Sequence, residues 1–205
     1  MKTLKLLVLV CAFGIWMIQP LKAFSSSLCD AIPGNLVTNC GFEAVYFTGW
    51  TKGGNEGMTG IMPSGYYKSN SGNWFLEMGP KGSDGTLSQT LTTITGQDYA
   101  FAFYLASEGD SPSDFSAYWD GTQLLSLTNP NSGVAYTSGG AYTLYTYTVT
   151  GTGSDTIQFD FRDDPGVLLL DDISVSAVPE PDTFSLLILG LGLGLAFVGR
   201  QRLFA

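Results

Sequence analysis

Apolar and polar residues alternate through much of the middle of the chain, in short runs separated by segments rich in Gly, Ser, Thr, Asn and Asp. Because residues i and i+2 of a β-strand face the same side, each run predicts a strand with one apolar face. Such strands must close against one another to bury that face. We therefore predict an all-β fold, an antiparallel β-sandwich of the jelly-roll kind, over residues 28–177. The apolar positions predicted to share an inward face within each run are Tyr99, Phe101, Phe103 and Leu105; Phe115, Ala117 and Trp119; Tyr145, Tyr147 and Val149; Ile157, Phe159 and Phe161; and Leu169, Ile173 and Val175.

The N-terminus begins with a longer apolar run that does not alternate. Lys2 and Lys5 precede an apolar stretch over residues 6–18, and the small residue Ala23 follows it. A basic start, an apolar middle and a small residue at the cleavage site are typical of a secretory signal peptide. Residues 1–23 are therefore predicted to direct export through the Sec machinery, with cleavage between residues 23 and 27.

The C-terminus carries a second apolar run, from residue 184 to residue 198, which is about the shortest that can span a bilayer. It predicts a transmembrane helix at about residues 183–199, followed by a basic end at residues 200–205 that contains Arg200 and Arg202. Basic residues beyond the helix favour a cytoplasmic C-terminus. Everything upstream would then lie on the far side of the membrane.

The sequence Val178-Pro179-Glu180-Pro181 stands just before this helix. Its prolines remove backbone donors and favour an extended, accessible chain, as a protease requires. This motif, followed by the apolar helix and the terminal arginines, resembles the PEP-CTERM sorting tail of Gram-negative, exopolysaccharide-making bacteria, here residues 178–205. The resemblance implies that a membrane protease, exosortase, cuts near the motif and passes the protein to the cell surface or the extracellular matrix. The alternative is an ordinary membrane anchor that is never processed.

The charge of the central region limits its partners. Residues 28–177 contain four Lys and Arg residues against 16 Asp and Glu residues, a formal charge of −12, and the whole chain has no histidine. Such a surface repels nucleic acid and anionic lipid and attracts divalent cations. Without histidine, imidazole metal sites and histidine-based catalytic triads are absent.

Two cysteines remain once the signal peptide is removed, Cys29 and Cys40. A pair of cysteines in an exported domain is typical of a disulfide. We expect this bridge at one edge of the sandwich, beside the first strand. The alternative is two free thiols.

Several short motifs in the central region are typical of one class of β-sandwich domain. The segment Asn35–Glu43 contains Asn-Leu followed by Asn-Cys-Gly-Phe-Glu, and Gly49-Trp50 comes soon after; Gly85–Leu91 and Leu170–Val175 lie further along. Together they resemble jelly-roll, galactose-binding-like domains and several families of carbohydrate-binding modules. The resemblance implies the same fold over most of the domain, with the opening motif beginning the first strands.

The resemblance also implies a structural calcium ion that joins the first and last strands. Its ligands would be Glu43 and Asp171, with Asp172 in reserve and backbone carbonyls completing the oxygen shell. Asp171 shares the parity of Leu169 and Ile173, so a regular strand would direct it inward, where a lone carboxylate needs a partner. The alternative is a hydrogen-bonded aspartate at a strand end or a bulge.

Aromatic residues suggest where a glycan would bind. Trp50 and Trp119 are predicted to belong to the core, whereas four tyrosines lie in or beside turn-rich segments: Tyr66, Tyr67, Tyr136 and Tyr142. Exposed rings beside Asn and Asp groups bind sugar by stacking and hydrogen bonding. This pattern predicts a non-catalytic protein that binds glycan or belongs to an exopolysaccharide matrix. Plain packing of the tyrosines is the alternative.

A second functional class is a hydrolase that acts on extracellular polysaccharide. A glycosidase needs two carboxylates at a fixed separation. The chain offers many candidates, and no spacing selects a pair among Glu77, Asp110, Asp114, Asp160, Asp163 and Asp164. This hypothesis predicts a deep cleft with two facing acids, whereas the binding hypothesis predicts exposed aromatic rings.

Overall fold

The computed structural model describes residues 26–130 and 142–179. The predicted signal peptide, Tyr136 and the tail from Glu180 onward lie outside the described residues. Within the described ranges, no helix has the length and apolar character needed to cross a membrane.

Ten strands and one short 3-10 helix, Leu28–Ala31, make up the regular structure of the described chain. The strands are β1 (Thr51–Gly54), β2 (Thr59–Pro63), β3 (Trp74–Met78), β4 (Gly85–Thr92), β5 (Asp98–Ser107), β6 (Ser113–Trp119), β7 (Thr122–Thr128), β8 (Thr143–Thr150), β9 (Ser154–Asp163) and β10 (Leu168–Ala177).

The strands form two five-stranded antiparallel sheets, which confirms the predicted all-β sandwich. The first sheet has the order β1-β4-β9-β6-β7, and the second has the order β2-β3-β10-β5-β8. Most neighbouring strands in the two sheets are not consecutive in the sequence. The last strand, β10, lies at the centre of the second sheet, between β3 and β5.

Aromatic rings from both sheets meet in the core, as the alternating pattern predicts. Phe159 of the first sheet lies with its ring centroid 5.1 Å from that of Phe103 and 6.0 Å from that of Phe101, both from the second sheet. Trp50 and Trp119 are each only 6% exposed, which confirms their assignment to the core. Burial of several such rings is the main apolar contribution to the stability of the sandwich.

One strand departs from the predicted alternation. In β10, Leu168 and Leu170 face the core between the sheets, while Leu169 belongs to a second apolar cluster. A β-bulge between Asp171 and Ser174, with Asp172 at a φ of +49°, then returns Ile173 and Val175 to the core. The prediction that Asp171 and Leu169 point inward is therefore wrong. A bulge inserts an extra residue and so reverses the facing of the residues on one side of it.

The opening motif does not begin a strand, contrary to expectation. Residues 35–50 form turns, bends and irregular segments, and the first strand starts only at Thr51. This segment lies instead against β10, beyond the residues that pair with β3. The amide of Leu36 donates to the Val175 carbonyl at 2.9 Å, and the amide of Ile173 donates to the Cys40 carbonyl at 3.0 Å.

Cys29 and Cys40 form a disulfide, with their Cα atoms 6.0 Å apart. It does not lie beside the first strand as expected, because the chain around it contacts the bulge of β10. The Cys29 amide donates to Asp172 Oδ1 at 3.2 Å, next to the Cys40 contact with Ile173. The bridge therefore closes the N-terminal segment over the central strand of the second sheet.

Candidate functional site

The outer face of the second sheet carries a covered apolar cluster. It consists of Phe75, Ala106, Val167 and Leu169, which the sandwich core does not reach. The loop of residues 64–73, which joins β2 to β3, lies over it, and Tyr67 of this loop packs against it together with Tyr142. We call residues 64–73 the tyrosine loop.

The structure brings together three of the four predicted tyrosines. Tyr66 and Tyr67 make an edge-to-face contact with ring centroids 4.9 Å apart, and the Tyr67 hydroxyl donates to Glu108 Oε1. The Tyr142 hydroxyl donates to the Lys68 carbonyl at 3.1 Å. Burial, followed by the nearby charges of Asp171 and Asp172, raises the pKa of Tyr142 far above its usual value.

These tyrosines differ in what they present to solvent. Tyr66 is 73% exposed, whereas Tyr67 and Tyr142 are half-buried and pack on the covered cluster. The expectation that these rings are exposed therefore holds for Tyr66 and is wrong for Tyr67 and Tyr142. The fourth, Tyr136, is among the residues that the structure does not describe.

Three carboxylates hold the far end of the tyrosine loop. Asp171 Oδ2 accepts hydrogen bonds from the amides of Asn70, at 2.8 Å, and Ser71, at 3.2 Å. Asp172 accepts from the Asn70 side-chain amide and from the Ser71 hydroxyl. Glu43 Oε1 accepts from the amides of residues 73 and 74, at 2.7 and 3.0 Å. We call Glu43, Asp171 and Asp172 the carboxylate clasp.

The clasp satisfies a carboxylate that would otherwise be costly to bury. Asp171 is completely buried, and burial and the neighbouring charge of Asp172 raise its pKa, while the amides of Ser71, Asp172 and Asn70 oppose that rise. Its position beside a bulge, with three backbone donors, matches the hydrogen-bonded alternative for this residue.

Glu43 and Asp171 were predicted to bind calcium, with Asp172 in reserve and backbone carbonyls completing the oxygen shell. Among the described residues, their oxygens do not all lie within 4.8 Å of one another. Oxygens of each carboxylate already accept N–H or O–H donors, which a cation would have to displace. A cation held by all three carboxylates would therefore require these side chains to rearrange. The expected calcium site of Glu43 and Asp171, with Asp172 in reserve and backbone carbonyls completing the shell, stays a prediction.

A groove of about 310 Å³ runs along the outer face of the second sheet. Tyr104 and Ala102 of β5 form part of its floor, and the 3-10 helix contributes Leu28. It contains one carboxylate, Asp172, whose two oxygens are engaged in the clasp. Its lining also includes Ile32, Leu144 and Ser174.

Sequence reasoning missed both this groove and Glu108. Glu108 follows β5 and accepts hydrogen bonds from Tyr67 and from the amide of Val167, at 3.1 Å. Its partners lie 41 and 59 residues away in sequence. The alternating pattern of β5 predicted Tyr104 on the face opposite the core. The sequence around Tyr104 gave no sign that it lines a groove, because the other lining residues come from distant segments.

The sorting motif begins where the sandwich ends. The Val178 amide donates to the Asp98 carbonyl at 2.8 Å, and the Val178 carbonyl accepts from the side-chain amide of Gln97. Val178 and Pro179 are exposed. Glu180, Pro181, Arg200 and Arg202 lie outside the described residues.

Residues 177–202 match the family of the PEP-CTERM protein-sorting motif, which confirms the resemblance of the tail. No curated protein matches the sequence of this chain.

Solved carbohydrate-binding modules are similar to the sandwich. TmCBM61, in complex with β-1,4-galactotriose, has a TM-score of 0.53 and 16% identity, over 70% of this chain and 99% of that chain. The CBM22-1 xylan-binding domain of Xyn10C from Paenibacillus barcinonensis has a TM-score of 0.47 and 16% identity, over 69% and 93% of the two chains. The K3 cleaved adhesin domain of Lys-gingipain from Porphyromonas gingivalis has a TM-score of 0.49 and 16% identity, over 68% and 98%. At 16% identity, the likeness to TmCBM61 concerns the fold alone.

Proposed function

We propose that this chain is an exported protein that exosortase sorts to the cell surface or extracellular matrix of a Gram-negative bacterium, where its sandwich binds glycan without catalysis. The match of residues 177–202 to the sorting motif supports the first part. The N-terminal signal pattern agrees with it, since a sorted protein must first be exported. Before processing, the C-terminal helix would hold the precursor in the inner membrane.

The exposed ring of Tyr66 on a fixed loop is the observation that supports glycan binding best. Sugars stack on aromatic faces, and a preformed platform loses little conformational freedom when a ligand binds. Tyr66 contacts Tyr67, which packs on the covered cluster, and the carboxylate clasp holds the other end of the loop. The ring is therefore both accessible, at 73% exposure, and attached to a well-packed base.

The hydrolase alternative is weaker in the described part of the chain. It requires two facing acids in a cleft, one of them free to transfer a proton. The groove on the second sheet contains a single carboxylate, and that one is held by Asn70 and Ser71. In this groove, the arrangement favours binding over cleavage.

A glycan array with the full chain, followed by titration calorimetry on the best ligand, tests this function. We expect Tyr66→Ala to weaken binding by about tenfold or more, the equivalent of one lost stacking contact. Tyr46→Ala is the matched control, because Tyr46 is 76% exposed and belongs to the segment before β1 rather than to the tyrosine loop. It should bind as the wild type does.

Two results would overturn the proposal. Equal weakening by Tyr66→Ala and Tyr46→Ala would mean that the tyrosine loop is not the site. Release of new reducing ends from a bound polysaccharide by the wild-type protein would favour the hydrolase instead.

A further inference from the structure

An isolated buried carboxylate lies at the end of the sandwich where β9 stops. Asp163, the last residue of β9, is completely buried, and neither of its side-chain oxygens has a hydrogen-bond partner among the described residues. An unpaired buried carboxylate is costly, and native proteins retain one only where something compensates for it. The other buried aspartates of the chain, such as Asp155 and Asp171, accept several hydrogen bonds each.

Two more carboxylates face this position from the loop after β5. If Gly166 carried a Cβ atom, it would lie 2.5 Å from Asp110 Oδ2 and 3.0 Å from Glu108 Oε2, so these side chains converge on the turn that follows Asp163. Burial raises the pKa of Asp163 to about 6, and the charges of Asp110 and Glu108 add to the rise. The nearby Gly166 amide opposes the rise, although its geometry falls short of a hydrogen bond to either oxygen. The charges of Asp110 and Glu108 therefore act on the Asp163 carboxylate across this turn.

No Lys or Arg side chain in the described ranges neutralises this cluster. Arg162 is committed to Asp164, with its Nη2 atom 2.7 Å from Asp164 Oδ2, and the other ion pair joins Lys52 to Glu56. Glu108, Asp110 and Asp163 are thus three acids with no cationic partner. Ionised together, they repel one another unless a cation enters.

We propose that Glu108, Asp110 and Asp163 form a binding site for a divalent cation, with calcium preferred. Carboxylate oxygens are hard ligands, and calcium accepts six to eight of them in irregular geometry, whereas magnesium demands a near-octahedral shell. In the structure these oxygens do not all lie within 4.8 Å of one another. The exposed side chain of Asp110 must therefore turn inward as the ion binds, and the ion must share the Glu108 oxygens with the Tyr67 hydroxyl and the Val167 amide.

This site is separate from the carboxylate clasp, and it does not depend on the proposed glycan-binding function. It would join the loop after β5 to the turn between β9 and β10, which come from different sheets. Glu108 also accepts the Tyr67 hydroxyl, so the ion would steady the base of the tyrosine loop from its other side.

Titration calorimetry and thermal unfolding of the full chain, first stripped with a chelator, test the proposal. We expect calcium to raise the melting temperature more than magnesium does, and more than sodium chloride of equal ionic strength. Asp110→Asn should fold normally, because Asp110 is exposed, and should weaken this calcium site by roughly tenfold or more through the loss of one charged ligand. Asp163→Asn should bind one calcium ion fewer than the wild type, while its metal-free form melts no lower.

Two variants serve as controls. Glu56→Gln removes the same charge at an exposed position and should leave the calcium response unchanged. Glu43→Gln removes one member of the carboxylate clasp and should retain this site. If Asp110→Asn and Asp163→Asn bind as many calcium ions as the wild type with unchanged affinity, or if magnesium and sodium chloride match calcium, the proposal is wrong. If only Glu43→Gln lost all calcium binding, the calcium site would be the carboxylate clasp, and the proposal would also be wrong.

Discussion

At the scale of single residues, the buried carboxylates show how partners decide charge. Asp155 is fully buried, as Asp163 is, but it accepts hydrogen bonds from the Thr93 hydroxyl and from the amide and hydroxyl of Thr152. Burial raises the pKa of Asp155, but the hydrogen bonds from Thr93 and Thr152 outweigh it, so the pKa lies below its usual value. Donors thus lower the pKa of one buried acid, whereas burial and the charges of Asp110 and Glu108 raise the pKa of Asp163.

Replacing Thr93 tests this account. We expect Thr93→Val to lower the free energy of unfolding at pH 7 by about 1–3 kcal/mol, because it leaves a buried carboxylate without one donor. Thr90→Val is the control, since Thr90 is exposed and its hydroxyl shares a hydrogen bond with that of Thr156 rather than with a carboxylate. Its effect should stay within about 0.5 kcal/mol. Urea unfolding of the three proteins provides the measurement.

The same pair of variants has an expected pH dependence. Because the pKa of Asp155 is lowered in the folded chain, its contribution to stability is present above the unfolded pKa and is lost as the pH falls through the folded pKa. Thr93→Val removes one cause of the lowering, so its deficit relative to the wild type should shrink below about pH 4. A deficit that is constant from pH 7 to pH 3 would show that the hydroxyl does not act through the charge of Asp155.

At the scale of elements, alternation predicted most strands of the core but failed where contacts are non-local. The facing of Phe101, Phe103 and Phe159 follows from local sequence, because every second residue shares a face. The bulge in β10 does not follow from local sequence. The left-handed backbone of Asp172 is held by hydrogen bonds from side chains more than 100 residues away in the sequence. The segment at residues 35–40 likewise lies along β10 through hydrogen bonds to Ile173 and Val175.

Gly72 shows how the tyrosine loop depends on the clasp. Its φ is +60°, and a Cβ atom there would lie 2.1 Å from Glu43 Oε1. Gly72→Ala should therefore displace Glu43 from the amides of residues 73 and 74, in addition to straining the backbone. Gly96→Ala is a matched control, because Gly96 has a φ of +82° but no atom within 4 Å of the added carbon.

We expect Gly72→Ala to lose about 1–2 kcal/mol more stability than Gly96→Ala, the equivalent of the lost hydrogen bonds. Chemical denaturation measures the difference. Hydrogen exchange at the amides of residues 73 and 74 should also become faster in Gly72→Ala alone. Equal losses in the two variants would mean that backbone strain accounts for the whole effect.

At the scale of the whole molecule, the candidate site was predictable in part. Turn-rich sequence correctly indicated Tyr66 as an exposed ring. Alternation predicted Asp171 to be a buried acid in need of partners, but residues 70 and 71 of the tyrosine loop bury it, not the core between the sheets. Plain packing was the alternative for these tyrosines, but that it would hold for Tyr67 and Tyr142 was not predictable, because the outer cluster that they cover forms only when β3, β5 and β10 come together. Local sequence describes the composition of a loop, whereas its packing depends on the strands beneath it.

Export makes a prediction about the intact protein. Because the chain carries a signal pattern at one end and a match to the sorting motif at the other, the mature protein should have lost mass at both ends. Intact mass spectrometry of surface material from the native host measures this. A species that retains residues 184–205 would instead indicate a permanent membrane anchor.

The continuity of β10 with the tail has a mechanical consequence. Any tension between a tethered tail and a surface-bound ligand enters the sandwich at Val178 and runs along β10. β5 borders this strand over most of its length, and β3 and the disulfide-closed N-terminal segment border its other side. A force along this central strand acts on many hydrogen bonds at once, as shear. The sandwich would therefore resist unfolding under tension better than if the tail continued from an edge strand, whose hydrogen bonds would break one at a time.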